Sequence, residues 1–183
     1  MDIQPQRDLR LRLTGSFYSS SDKGTRDYIY GGDRAGSRYY AVAEGSDFSG
    51  RFNPRYAYQT AYQINPFIKF QGLEFFGIIE QVNNGADAGG GFTQLGGELI
   101  YRLGADENLY FGGRYNTVSG EQTDATQSID ISRINIGGGW FLTDNVLAKF
   151  EYVKQTYDGA GYNGSLYQGA EFSGVMLEAV ISF

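Results

Sequence analysis

Ser173-Gly-Val-Met-Leu-Glu-Ala-Val-Ile-Ser-Phe183 closes the chain, and it reads as one β-strand with two unlike faces. Val175, Leu177, Ala179, Ile181 and Phe183 fall on one side; Met176, Glu178 and Ser182 fall on the other. Successive strand side chains point to opposite faces, so this spacing presents an apolar face and a mixed face. An aromatic final residue is not what a terminus that frays in water calls for. The question is whether the rest of the chain repeats the pattern.

Its composition suits a sheet. The chain has 183 residues, enough for one domain, with 16% aromatics and 27 glycines against 3 prolines. Aromatics favour strands, and glycines mark bends and close approaches. No stretch approaches the ~20 apolar residues of a membrane helix, but spanning strands need only ~9–11 residues, half of them apolar. Cysteine and histidine are both absent. That excludes disulfides, thiolate metal sites, and Ser-His-Asp or Cys-His catalysis. We therefore expect no enzyme, no catalytic residues, no metal and no cofactor. A net charge of −6 argues against nucleic acid as a partner. Met1-Asp-Ile-Gln-Pro-Gln is too polar for a cleavable signal peptide. If exported, the chain is expected to be a mature form with an added Met, or a fragment.

Nine segments have strand character: about 8–18, 38–46, 55–64, 67–81, 92–103, 108–118, 129–142, 146–157 and 171–183. Asn65-Pro66, 104–108 and Thr143-Asp-Asn145 read as tight turns, while 83–91, 119–127 and 158–170 read as long polar loops. Short and long connections alternate from residue 55 onward. An up-and-down barrel with short turns on one side and long loops on the other has this rhythm. Parity then places 38–46 inside a long first loop, 19–54, leaving eight spanning strands behind a short lead, 1–7. A ten-strand version would recruit Tyr28-Ile-Tyr30, which is short for a strand.

The faces agree. Leu9, Leu11, Leu13 and Phe17 lie opposite Arg10 and Arg12; Leu95, Leu99 and Tyr101 lie opposite Glu98 and Arg102. Leu109, Phe111 and Tyr115 lie opposite Arg114; Ile134, Ile136 and Trp140 lie opposite Arg133; Ala148, Phe150 and Tyr152 lie opposite Lys149 and Glu151. Segment 67–81 carries Lys69 and then loses phase, which a bulge at Gly72 would restore. A soluble sandwich or lipocalin-like barrel also alternates. Against it stand aromatics near the strand ends (Tyr56, Phe67, Tyr101, Tyr110, Trp140, Phe141), glycine runs such as Gly137-Gly138-Gly139, and charge of both signs on the polar face. Arg10, Arg12, Lys69, Arg102, Arg114, Arg133 and Lys149 face Glu98, Glu151 and Glu178 there, seven cations to three anions, an excess of four. Poorly solvated charges of this kind should pair with one another or with Gln and Asn.

The stretch Gly139-Trp-Phe-Leu-Thr-Asp-Asn-Val-Leu-Ala-Lys-Phe-Glu-Tyr-Val153, with the terminal strand, resembles bacterial outer-membrane β-barrels of porin type. The resemblance covers 55–183 well and 1–54 loosely, and fits either the C-terminal part of a porin-like barrel or a compact eight-strand relative. It implies an all-β, antiparallel, up-and-down transmembrane β-barrel in the outer membrane, with lipid as partner. It also implies that Val175, Leu177, Ala179, Ile181 and Phe183 form the signal read by the barrel-assembly machinery. The expected function is passive passage of small, preferably anionic, solutes past the ten lumen-lining charges named above. The alternative is a non-conducting structural, adhesion or recognition barrel. Tyr28, Tyr30, Tyr39 and Tyr40 in loop 1 would then supply a surface for a ligand.

Overall fold

The computed structural model describes residues 9–20, 52, 54, 56, 58–85, 89–104 and 106–182. These form β1 (Arg10–Ser20), β2 (Gln59–Phe70), β3 (Leu73–Asn84), β4 (Gly91–Leu103), β5 (Leu109–Glu121), β6 (Ile129–Thr143), β7 (Val146–Asp158) and β8 (Glu171–Ile181). All eight belong to a single antiparallel sheet in chain order, the up-and-down arrangement expected from the spacing of turns. The sheet is open. β1 pairs only with β2 and β8 only with β7, so the closed barrel of the sequence reading is not what the structure shows. The lead 1–7, segment 38–46, the loop-1 tyrosines and Phe183 lie outside the described residues.

One turn sits elsewhere than expected. Asn65-Pro66 is not a turn but the middle of β2, and the hairpin reverses at Gln71-Gly72, where a bulge was expected. Both turn residues have positive φ, 49° and 82°, as a type I′ hairpin requires. The proline survives mid-strand for a local reason. It has no N–H for the ladder, and pairing of β2 with β3 lapses at 65–66. The Asn65 side-chain amide instead donates to the Gly77 carbonyl at 3.1 Å. Gly77 also leaves space for the proline ring, since a Cβ there would lie 2.8 Å from Pro66 Cγ.

The tight connections at 71–72, 104–108 and 144–145 all lie at one end of the sheet; the longer ones at 85–90, 122–128 and 159–170 lie at the other. Toward the turn end, one face carries the charges and the other carries Leu13, Ile64, Ile68, Leu95, Leu99, Phe111, Ile136, Trp140, Phe150 and Leu177. The apolar side chains are the more exposed set: Leu99 is 51% exposed and Leu177 81%, whereas the charged face is largely half-buried. A protein packed for water has the opposite arrangement.

Toward the loop end the faces exchange character. On the charged face, Ala61, Val82, Phe92, Ile131, Val153 and Tyr157 are buried and form the core. Their backs at this level are polar: Thr60, Asn83, Thr93, Ser119, Asp130, Lys154 and Glu171. Burial of each core side chain is worth about 1.5–3 kcal/mol for the larger aliphatic and aromatic ones. At the loop end this face thus buries a mixed set, those six together with Gln59, Glu80, Asn84 and Gln155, while at the turn end the apolar face is the exposed one.

Candidate functional site

The register brings all ten charges expected to line a lumen onto one face: Arg10, Arg12, Lys69, Glu98, Arg102, Arg114, Arg133, Lys149, Glu151 and Glu178. It adds two that the sequence reading missed. Glu74 lies opposite Lys69 across the 71–72 hairpin, and Glu80 lies opposite Gln63, both on this same face. With the turn placed at Asn65-Pro66, β3 had no fixed phase and Glu74 looked out of step. Counted on the described strands alone, the face therefore holds seven cations and five carboxylates, an excess of two rather than four.

Glu74 is the hub at the turn end. Its Oε1 accepts from Lys69 Nζ and from Arg102 Nε, each at 2.7 Å, and Lys69 lies 3.9 Å from Glu107 in the turn between β4 and β5. Three strands and a turn are thereby tied together at a level where few groups reach open water. Such a network is firm only while every member is present, because a lone charge left behind is costly. Next to it, the Arg12 guanidinium stacks over the Phe67 ring at 5.0 Å, and Arg102 over the Tyr110 ring at 5.6 Å. Lys149 bridges to Glu178 at 2.8 Å, holding β8 to β7.

Farther along the face, pairing passes to amides. Arg114 Nε donates to Asn116 at 2.8 Å, Arg133 Nε to Gln155 at 2.6 Å, and the Asn135 amide to Glu151. Glu98 lies directly opposite Arg114, yet the two form no ion pair. Between these groups is a hollow of about 210 Å³, lined by Glu98, Tyr110, Arg114, Asn135, Lys149 and Glu151 around a floor of glycine backbone. Asn135 Oδ1 is buried there and accepts no hydrogen bond from the described residues.

At the loop end the face is roofed. After β7, a turn of 3₁₀-helix (Ala160–Tyr162) folds back, with Gly161 N–H donating to Ser128 at 2.8 Å and Tyr157 N–H to Ala170 at 3.0 Å. The rings of Tyr157, Tyr162 and Tyr167 pack within 5.2–5.9 Å of one another, over Ile131 and Phe172. Burial pushes the Tyr162 phenol well above its ordinary range, with Tyr157, Tyr167 and Asp130 adding to the shift. Nothing in the loop compositions at 119–127 or 158–170 suggested this roof.

Val175, Leu177, Ala179 and Ile181 of the proposed assembly signal share the exposed apolar face of β8. Among the described residues no group of three or more His, Cys, Asp or Glu is placed to hold a metal ion. Among the described residues no helix is long and apolar enough to cross a membrane, which says nothing about strands. No protein-family model, no curated protein and no solved structure matches this chain.

Proposed function

We propose that the chain is an outer-membrane β-barrel element of porin type, whose apolar face meets lipid and whose charged face lines a water path for small solutes. The carrying observation is the exposed apolar band at the turn end. In β4 the apolar side chains run from Leu95 to Leu103 on one face, with Leu95, Leu99 and Tyr101 exposed and Leu103 half-buried. That span is roughly 27 Å of strand, or about 20 Å along the membrane normal at a tilt of ~40°, close to the ~25 Å band of such barrels. The band recurs on every strand at the same level. Left in water it would far exceed the ~300–600 Å² apolar patch of an ordinary monomer. β1 and β8 are each 11 residues long and antiparallel in sense, so pairing of these two edges closes the circle. The same reading gives the chain no catalytic role.

An excess of two positive charges favours anions modestly, since lining charge sets selectivity in narrow pores. Planar-bilayer recording on the purified protein tests this: small conductance steps with a weak anion preference are expected, and cation preference would refute the assignment of faces. A second reading, a non-conducting barrel, is favoured by the tyrosine roof over the charged face. A silent bilayer that starts to conduct when Tyr162 and Tyr167 are replaced by Ala would select it.

A further inference from the structure

We infer that the hollow on the charged face is a binding site for a small zwitterion, an α-amino acid of the size of glycine or alanine. Three groups around it lack the partner their chemistry requires. Glu98 is an anion with no ion pair among the described residues. Arg114 is a cation in the same position, its Nε spent on Asn116 and the rest of its fork of donors available. Asn135 Oδ1 is buried without a donor, although the other end of that amide is committed to Glu151. A buried acceptor left like Asn135 Oδ1 is uncommon and calls for a partner from outside the chain, and the half-buried Glu98 and Arg114 face the same hollow.

The unmet needs are complementary. Glu98, Glu151 and Asn135 Oδ1 ask for a group with several N–H donors and a positive charge, which is an ammonium. Arg114 asks for a planar acceptor, and a carboxylate meets its fork in bidentate fashion. Glu98 and Arg114 are direct cross-strand partners, so their Cβ atoms stand about 4.5–5.5 Å apart. A carboxylate and a guanidinium rooted on adjacent strands are bridged by a ligand whose short frame carries both charges. An α-amino acid is such a ligand, with its ammonium nitrogen and its carboxylate carbon on one shared atom.

Size and shape agree. The hollow of about 210 Å³ is many times the ~10–15 Å³ that a single water requires, so a solute of five or six heavy atoms fits with water to spare. Its floor is kept bare by Gly112 and Gly137, which face each other across β5 and β6. A Cβ at Gly137 would lie only 2.4 Å from the Phe150 carbonyl oxygen, so no side chain can fill the space from below. The Tyr110 ring, which lies across Gly139, walls the turn-end side. The site needs only that the charged face meet water, so it stands or falls independently of conduction.

The test is titration of the purified chain in detergent micelles with glycine and L-alanine, followed by ligand-observed NMR. Acetate, methylammonium and glucose serve as comparisons. Saturable binding of glycine in the millimolar range is expected, with acetate and methylammonium at least tenfold weaker. Glu98→Gln and Arg114→Gln should each weaken it at least tenfold, while Arg12→Gln, outside the hollow, leaves it unchanged. Contacts from the glycine methylene to the Tyr110 ring place the ligand without recourse to variants. Equal binding of acetate and glycine, tighter binding of glucose, or no saturation by 100 mM overturns the proposal.

Discussion

Placing a charge in the middle of the apolar band should cost far more than placing it above the band, if lipid covers that face. Leu99 is the centre of the β4 stretch, four residues from Leu95 and four from Leu103. Four residues are about 13 Å of strand, and at a tilt of ~40° this puts Leu99 about 10 Å from each edge of the band. In water, Leu99→Arg at a half-exposed position would change stability by no more than ~0.5 kcal/mol. In a bilayer, arginine near the midplane costs about 2–4 kcal/mol and near an interface about 0–1 kcal/mol. Ser119 supplies the control: it lies on the same face, between Thr93 and Asp130, beyond the apolar band. Equilibrium urea unfolding of the chain in phospholipid vesicles should therefore give a midpoint for Leu99→Arg lower by ~2–4 kcal/mol divided by the m-value, and for Ser119→Arg near wild type. Equal and small effects at both positions would refute the membrane reading of this face.

Three further outcomes follow from the geometry. Glu74→Gln strands Lys69 and Arg102 without their shared carboxylate and should destabilise by about 3 kcal/mol in the same unfolding assay. It also raises the charge excess from two to three, so reversal potentials in bilayers should move toward the anion value. Gly77→Ala should destabilise through contact with Pro66 Cγ, and Pro66→Ala should rescue part of that loss; strictly additive effects in the double variant would contradict the pairing. The Tyr162 phenol has a raised pKa, so the unfolded chain loses that proton before the folded one does. Stability from the roof should therefore be intact below about pH 10 and fall as pH rises above it, with a flatter profile for Tyr162→Phe in tyrosine-absorbance titrations and unfolding curves.

Much of the sheet was legible because period-two alternation is a strong signal in Leu95–Leu103 or Ile134–Leu142. Asn65-Pro66 misled because that dipeptide usually marks a turn. What rescues it, the reach of the Asn65 amide to Gly77, is a contact between strands and is invisible in a linear reading. The missed Glu74 and Glu80 follow from that one misplacement. The exchange of faces was written in the sequence and overlooked. Ile129 and Ile131 are in one phase, and Ile134 and Ile136 are in the other; Phe92 precedes Leu95 and Leu99 in the same way, and Phe172 precedes Val175 and Leu177. A search for alternation finds such runs but does not ask whether the phase flips at a common level. The hollow was not legible at all, because it depends on four strands lining up Glu98, Gly112, Gly137 and Glu151.

The meander also fixes the order in which the molecule can assemble. From β2 to β8 every pairing joins neighbours separated by no more than the 12 residues of 159–170, so each hairpin can zip onto the last with little loss of chain entropy. β1 alone must reach across residues 21–58, 38 residues, before it meets β2. By the logarithmic dependence of closure on loop length, this adds only about 1 kcal/mol relative to the 12-residue loop. The thermodynamic penalty is small, but the search is the longest in the chain and slows folding. β1 docks last. In the open sheet β1 and β8 each have a single paired edge and no buried side chain, and its longer connection makes β1 the first of the two to leave until the edges pair. Hydrogen exchange should therefore advance from β1 inward, with the β6–β7 hairpin, beneath the tyrosine roof, the last to open.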